Sequence, residues 1–387
     1  MRKVRLKDIG TFYTGLSGKS KEDFSEGNAL FVTYRNIYNN PVLNPNINDT
    51  VVVGKNEKQN KVLLGDILFT GSSETPEDAG MSSVVLHKPK GKMYLNSFCF
   101  GFRINDHNEV ISSYLGHLLR SPSIRAAISR TAFGVTRFNI NKKKFAEIEI
   151  PLPPLAVQQE IVSVLDSFTS LIEKMKEEVA LRKKQMEYYR EKLLAFDDVE
   201  GNNVKWKKLS DGCLYSKDRI DASDLPENSY IGVENLLKDK HGRTESTIAP
   251  LGSVIKYEKN DILIGNIRPN LRKIWKADSM GGTNGDVLCI RIKEGATKEL
   301  ASDYLFHILA SENFFEYDVK YSKGGKMPRG DKTAIMKYSI PIPPLADQQR
   351  IASTLDLFET YITKQERLIE LRQKQYEYYR DKLLTFE

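Results

Sequence analysis

The sequence is short of cysteine and of long apolar runs, and it lacks the common catalytic signatures. Each shortage closes off a class of protein. Only three cysteines occur among 387 residues, Cys99, Cys213 and Cys289, with no C-x-x-C pair. That spacing excludes a zinc ribbon or a disulfide scaffold and fits buried thiols in a reducing compartment. No apolar run approaches the roughly 20 residues that span a bilayer, so no membrane segment is expected. The opening MRKVRLKDIG has early charges but no apolar core behind them, so a signal peptide is not expected either. The expectation is a cytoplasmic protein.

Catalytic patterns are equally scarce. The paired prolines stand in PLPPL and PIPPL, not in the [DNS]-P-P-aromatic stretch that amino-methyltransferases use. No glycine-rich loop follows a strand in Walker or Rossmann spacing, and no H-E-x-x-H occurs. No glutamate precedes a lysine by two positions, and Asp318-Val-Lys320 alone gives D-x-K. The five histidines are scattered. His117 and His307 fall on apolar helical stretches and read as core histidines rather than ligands. Neither catalysis nor a cofactor is expected of this chain.

What is present is a globular composition, 40% hydrophobic and 28% charged, with length for two or three domains. The formal charge of +7 says little by itself, but its distribution says more. Positions 110 to 146 contain no acid, yet hold Arg120, Arg125, Arg130, Arg137, Lys142, Lys143 and Lys144. A second acid-free window, 262 to 277, holds Arg268, Arg272, Lys273 and Lys276; a third, 319 to 330, holds Lys320, Lys323, Lys326 and Arg329. Cations without local acid suit phosphate neutralisation.

The chain also repeats itself. IPLPPLAVQQEI at Ile150 returns as IPIPPLADQQRI at Ile340, and the following stretch to Phe196 realigns on that to Phe386 without a gap, with about 27 of 47 positions identical. The shift of 190 residues is a domain-scale duplication. Fainter echoes agree: VRLKDI at Val4 with VKWKKL at Val204, GDILF at Gly65 with NDILI at Asn260, and SSYLGHLL at Ser112 with SDYLFHIL at Ser302. The reading is domain, helix, domain, helix, with DDVEGNN (197–203) as a polar hinge.

Prolines 151, 153 and 154 favour an extended approach, and Pro154 can sit at or just before a first helical turn. Beyond it, spacings of 4 and 3 alternate strictly. Ile161, Leu165, Phe168, Ile172, Met175, Val179, Arg182, Met186, Tyr189 and Leu193 form one seam. The other is Ile351, Leu355, Phe358, Ile362, Gln365, Ile369, Arg372, Tyr376, Tyr379 and Leu383. A heptad seam of this length predicts an intramolecular antiparallel coiled coil, from helices of roughly 36 residues and about 54 Å. Arg182 and Arg372, equivalent cations on the seam, either fix the register or lie at its edge.

Residues 1–150 and 204–339 diverge and read as mixed α+β domains with mainly β bodies: short apolar runs punctuated by Gly, Asn and Ser, then a helical element in which Ser121 is an N-cap and Pro122 the first helical position. Recognition chemistry gathers in their loops. GNIRPNLRKIW supplies Asn266, Arg268, Asn270, Arg272 and Lys273; TYRNIYNN supplies Arg35 and Asn36. Arginine can bind guanine bidentately and asparagine can do the same for adenine. AFGVTRFNINKKK, with Arg137, Asn139 and Lys142, and KGGKMPRGDK, with Lys326 and Arg329, occupy matching places before the proline runs. Their glycines permit close approach to phosphate.

IPLPPLAVQQEIVSVLDSF…YYREKLLAF, duplicated behind two unlike domains that end in G-x-x-R-type loops, resembles the specificity subunit of type I restriction-modification enzymes. NDILIGNIRPNLRK resembles that family's target-recognition domains. The resemblance covers essentially the whole chain. It implies an α+β fold in which two target-recognition domains (1–150 and 204–339) are held apart by the helices of 151–196 and 340–387. Each domain would read one half of an interrupted site on double-stranded DNA. Two methyltransferase subunits would dock on the chain, restriction subunits would join them, and S-adenosylmethionine, Mg²⁺ and ATP would belong to those partners. A coiled-coil adaptor that reads no DNA is the competing expectation.

Overall fold

The computed structural model describes residues 2–196, 204–246, 248 and 250–386, so the expected hinge at 197–203 lies outside the described residues. The chain divides into two units, Met1–Met175 with Leu368–Glu387, and Lys176–Arg367. Each unit holds one β-rich body, part of the central helix Leu155–Leu194, and part of the C-terminal helix Leu345–Leu384. Both helices have 40 residues, longer than the seam alone required, because each starts directly after the last proline of its run. At 1.5 Å per residue that is about 60 Å.

In the first unit, the strand Arg2–Arg5 pairs antiparallel with Glu149–Leu152, Lys3 opposite Pro151. The first and last prolines of the run thus differ in role: Pro151 is a strand residue, and Pro154 precedes the helix and lends its carbonyl to the Val157 and Gln158 amides. The body is a four-stranded antiparallel sheet in the order Gly10–Thr14, Cys99–Ile104, Ile67–Thr70, Ser82–Val84. A three-stranded sheet orders Thr50–Val51, Ala29–Val32 and Met93–Leu95. Helices Ser112–Leu119 and Pro122–Ser129 pack against the four-stranded sheet, the second opening on Ser121 with Pro122 as its first residue. Phe69, Phe100, Phe102 and Phe145 fill the core, and Ile161 and Leu165 of the central helix reach into it.

The second unit repeats this plan. Lys205–Lys208 pairs with Ser339–Ile342, Trp206 opposite Pro341. One four-stranded sheet orders Cys213–Tyr215, Val287–Ile292, Ile262–Gly265 and Ile274–Lys276. Another orders Arg219–Asp221, Ser253–Tyr257, Gly281–Thr283 and Tyr230–Ile231. Ile351 and Leu355 join Tyr304, Leu305 and Phe314 in its core.

The seam has the same register in both units. Phe168 stacks on Tyr379 at 5.4 Å in the first; their repeat equivalents Phe358 and Tyr189 stack at 5.6 Å in the second. Ile161, Leu165, Ile172, Val179, Ile351, Leu355 and Ile362 are buried, while Phe168, Tyr189, Leu193, Phe358, Ile369, Tyr379 and Leu383 are half-buried. In the second unit Lys183 meets Glu366 and Arg190 meets Glu359, which fixes the antiparallel sense there. Arg182 is not buried on the seam: it hydrogen-bonds Gln185 and lies 5.8 Å from the Tyr361 ring. Arg372 bonds Gln375 in the same way. The buried seam cation is Arg190, whose guanidinium is held by Glu187 and Glu359. Its equivalent Arg380 is paired instead with Asp381.

Four duplicated hydrogen bonds explain why the proline phrase is written twice. Gln158, fully buried, accepts from the Ile111 amide and donates to the Glu109 and Pro153 carbonyls, each at 2.9 Å. Gln348 does the same with Ala301, Glu299 and Pro343, at 2.9, 2.7 and 2.8 Å. The hydroxyls of Tyr114 and Tyr304 donate to the carbonyls of Pro151 and Pro341. The phrase is a socket that fixes the start of a long helix to its β body.

Candidate nucleic-acid interface

Each unit builds its candidate surface from two loops, one leaving a core strand and one just ahead of the proline run. In the first unit Ser72 joins them. The strand Phe138–Ile140 pairs with Ser72–Ser73, Asn139 opposite Ser72. The Arg137 Nε donates to Ser72 Oγ at 3.0 Å, and the Tyr34 hydroxyl donates to the Ser72 carbonyl at 2.9 Å. Since Tyr34 opens the short helix Tyr34–Asn39, Arg35 is brought to the same region as Arg137 and Asn139, and all three are exposed. Arg137 also lies 5.3 Å from the Phe98 ring. Lys142 is exposed at the start of Lys142–Ala146, a helix capped by the Asn141 side chain.

Two sequence expectations meet a different structure here. Asn36 does not face outward with a free amide: it accepts from the Asn44 amide and the Asn40 side chain and donates to the Asn44 carbonyl, closing its own turn. Arg120 and Arg125 are not phosphate ligands in waiting. Arg120 donates to the carbonyls of Ile37, Tyr38 and Ser82, and Arg125 to those of Glu77, Ala79 and Gly80. Burial pushes the Arg120 guanidinium down to about 10. A cationic run answered by backbone carbonyls carries no local acid, which is why the acid-free window misled.

In the second unit the same junction recurs with other residues. Ile267 bridges Arg329, at positions equivalent to Ser72 and Asn139. The Arg268 amide donates to the Pro328 carbonyl at 2.7 Å and the Gly330 amide to the Asn266 carbonyl at 3.1 Å. Between them Pro269–Leu271 makes a single 3₁₀ turn flanked by Arg268 and Arg272, both left-handed at φ 54° and φ 49°. A left-handed non-glycine residue costs roughly 1–2 kcal/mol. Such strain persists where the surroundings over-determine it, and it concentrates at functional sites.

The five cations and two asparagines expected there divide clearly. Arg268, Asn270 and Lys326 are exposed, with no side-chain hydrogen bond or ion pair among the described residues. Arg329 is exposed and touches Asp286 at 3.2 Å. Arg272 is held by Glu312 at 2.8 Å. Lys273 donates to the Val233 carbonyl at 2.6 Å, and burial lowers its pKa. Asn266 is buried. Arg272 and Lys273 thus tie the turn to neighbouring segments.

Sequence reasoning passed over the apolar part of the surface. Phe98, Phe133 and Val135 are 59%, 58% and 89% exposed around Arg137, as is Met327 (51%) beside Lys326. Isolated apolar residues in a loop have no periodicity to mark them. The acids that anchor the strand behind each loop were also missed. Asp66 accepts from Arg103 and Tyr13; Asp261 accepts from Arg291. The GDILF and NDILI echo was their signal.

Nothing in either unit resembles a catalytic constellation among the described residues, and no group of three metal-ligating side chains is found there. The three cysteines are free and buried, and burial raises Cys99 and Cys213 to about 12. His117 bridges Asp166 at 2.7 Å and the Tyr376 hydroxyl at 3.0 Å, and His307 meets Asp356 at 2.8 Å. Both fasten a body to a helix. No helix is long and apolar enough to cross a membrane among the described residues.

The profile of the type I restriction modification DNA specificity domain matches residues 1–181 and 208–373. A type I restriction enzyme specificity subunit of Escherichia coli is 31% identical over 275 residues, covering 64% of this chain and 64% of that protein. A Haemophilus influenzae protein assigned as a type I restriction enzyme specificity subunit is 31% identical over 299 residues, covering 73% of this chain and 74% of its own length. Among solved structures, the S subunit of a type I restriction-modification system from M. genitalium superposes with a TM-score of 0.58 at 14% identity, covering 100% of this chain and 96% of that one. At that identity the likeness is one of fold.

Proposed function

The chain belongs to the type I restriction-modification DNA specificity family, and on that premise we propose that it is the non-catalytic DNA-reading subunit of such a system. Each unit reads one half of a bipartite site on double-stranded DNA. Two methyltransferase subunits dock on the helices and bodies, and restriction subunits complete the assembly. S-adenosylmethionine, Mg²⁺ and ATP serve those partners, and the complex works in the cytoplasm. The reading rests on one observation above all: both units join a post-strand loop to a pre-proline loop at equivalent positions, yet fill that junction with unlike side chains. Equal scaffolding with unequal surfaces suits two different half-sites.

The first surface combines Arg35, Arg137 and Asn139 with exposed Phe98, Phe133 and Val135, and apolar side chains can contact a thymine methyl. The second projects Arg268 and Asn270 from a strained turn, with Lys326 exposed on the adjoining pre-proline loop, suited to a guanine edge and to phosphate. The test is to assemble the chain with its cognate methyltransferase subunits, methylate random-sequence duplexes and sequence the modified adenines. A bipartite, interrupted motif is expected. Uniform methylation, or none, overturns the reading. Affinity should also fall steeply with salt, whereas an adaptor without DNA contacts shows no binding to lose.

A further inference from the structure

The internal duplication offers a control at single positions. In the first unit Ile128, on Pro122–Ser129, and Ile140 pack around Gly80; a Cβ at Gly80 would lie 2.7 Å from Ile128 Cγ2 and 3.1 Å from Ile140 Cδ1. The equivalents 190 residues on are Asp318, on the helix Glu312–Tyr321, and Gly330. An apolar contact in one unit has become a buried carboxyl group in the other. Asp318 is 1% exposed, and neither of its oxygens has a hydrogen-bond partner among the described residues. Asn266 is 5% exposed, and its side-chain oxygen has no partner either. Both crowd one point: a Cβ at Gly330 would lie 2.4 Å from Asp318 Oδ1 and 3.0 Å from Asn266 Oδ1. Gly330 is therefore required by the closeness of these two groups, directly beneath the place where the two loops join.

Two buried acceptors aimed at one point repel, and an ionised carboxylate without a donor is among the costliest groups to bury. A single proton reverses the balance, because a neutral carboxylic acid donates where a carboxylate can only accept. We propose that Asp318 is a positioning residue for the second unit's DNA-reading turn: as the neutral acid it donates to the Asn266 side-chain oxygen and pins Asn266–Arg272 against Gly330. This rests on the reading of that turn as a DNA contact.

The surroundings favour the neutral form. Burial alone raises the Asp318 carboxyl from 3.8 to about 7. On its own helix, Glu312 is engaged by Lys240 and Arg272, and Glu316 and Lys320 complete the charges. From the packed turn come Arg268 and Arg272. From the helix Lys332–Met336 come Lys332 and the capping Asp331, which is itself paired with Lys323. From the strand Cys213–Tyr215 comes the Tyr215 phenol, raised by burial and by Asp318 and Asp331. Asp286 is occupied by Arg329. Among the described residues no cation pairs with Asp318, which leaves a proton to neutralise it.

The sign follows. The folded-state carboxyl titrates above its unfolded value, so the contact is complete at low pH and is lost as pH rises through about 7. The experiment uses the chain assembled with its methyltransferase subunits and duplexes mismatched in one half-site at a time, from about pH 6 to about pH 8.5. In the parent protein the mismatch penalty in the second unit's half-site should shrink about fivefold with rising pH, the worth of one hydrogen bond, while the first unit's stays level. Asp318→Asn, whose amide donates at every pH, should abolish that slope and keep the penalty high. Asp318→Leu, which restores the apolar partner of the first unit, should fold and show the reduced penalty throughout. A parent profile that is level in both half-sites, or an Asp318→Asn profile that slopes like the parent's, overturns the assignment. If Arg268→Ala leaves every mismatch penalty unchanged, it is the reading of the turn that fails.

Discussion

Replacing Gln348 by methionine tests the socket at the head of the C-terminal helix. The side chain is similar in length and fills the same space, so the cavity term is small. What disappears is one acceptor for the Ala301 amide and one amide group shared between the Glu299 and Pro343 carbonyls. A buried donor or acceptor left unpaired costs about 1–3 kcal/mol, with carbonyls toward the low end, so the three together amount to about 3–5 kcal/mol. Both tryptophans, Trp206 and Trp275, belong to the second unit, so tryptophan fluorescence follows that unit during urea unfolding. With a slope of about 2–3 kcal/mol per molar urea, the fluorescence midpoint should fall by about 1–2 M. Gln158→Met should leave that midpoint in place and lower instead the part of the circular-dichroism transition that carries the first unit. Gln348→Glu adds a charge check. Facing two carbonyls, the new carboxyl titrates above its unfolded value, so stability is present at low pH and lost as pH rises through that range. A Gln348→Met midpoint within about 0.3 M of the parent would refute the account of the socket.

Other expectations follow from the same geometry. Arg137→Ala and Arg268→Ala should each relax one half of the methylated motif at a cost of about 1–3 kcal/mol in discrimination; an unchanged motif in sequenced products would remove both from the surface. Leu165→Asp places a charge among fully buried Leu115, Leu118 and Phe145 neighbours of the first core, and should cost more than about 4 kcal/mol, read as loss of cooperative melting. Arg268→Gly should raise the melting free energy by about 0.5–1 kcal/mol while loosening recognition, because it releases left-handed strain. Arg272→Gly should give no such gain, since it also breaks the pair with Glu312.

Long-range order was legible where a pattern repeats. The heptad and the duplication survive substitution because dozens of positions vote together, and Phe168 and Phe358 hold the same register as their spacing implied. Single polar side chains were not legible. Gln158 and Gln348 lie inside the phrase that announced the duplication, yet a glutamine letter does not say whether its amide faces water or three backbone groups. Arg120 and Lys326 look alike in an acid-free window; only tertiary contact separates the one that holds carbonyls from the one left exposed. Arg190 sits beside Tyr189 at the edge of the heptad seam, where an arginine reads as a solvated flank, yet its guanidinium is fully buried between Glu187 and Glu359. Asn36 shows that a residue type suited to base edges is equally suited to closing turns, and Asn266 that it can be buried beneath a loop.

The antiparallel pairs Arg2–Arg5 with Glu149–Leu152 and Lys205–Lys208 with Ser339–Ile342 bring the two ends of each body side by side, about 5 Å apart. A body anchored by neighbouring ends resembles a tool in a bayonet mount. Whatever is spliced between those strands must complete the two ladders, offer Gln158 or Gln348 an amide and a carbonyl, and keep the tyrosine and histidine that fasten body to phrase and helix. Genetic exchange can therefore renew what lies between the strands without asking the long helices to change, so new target sequences can arise faster than new assemblies.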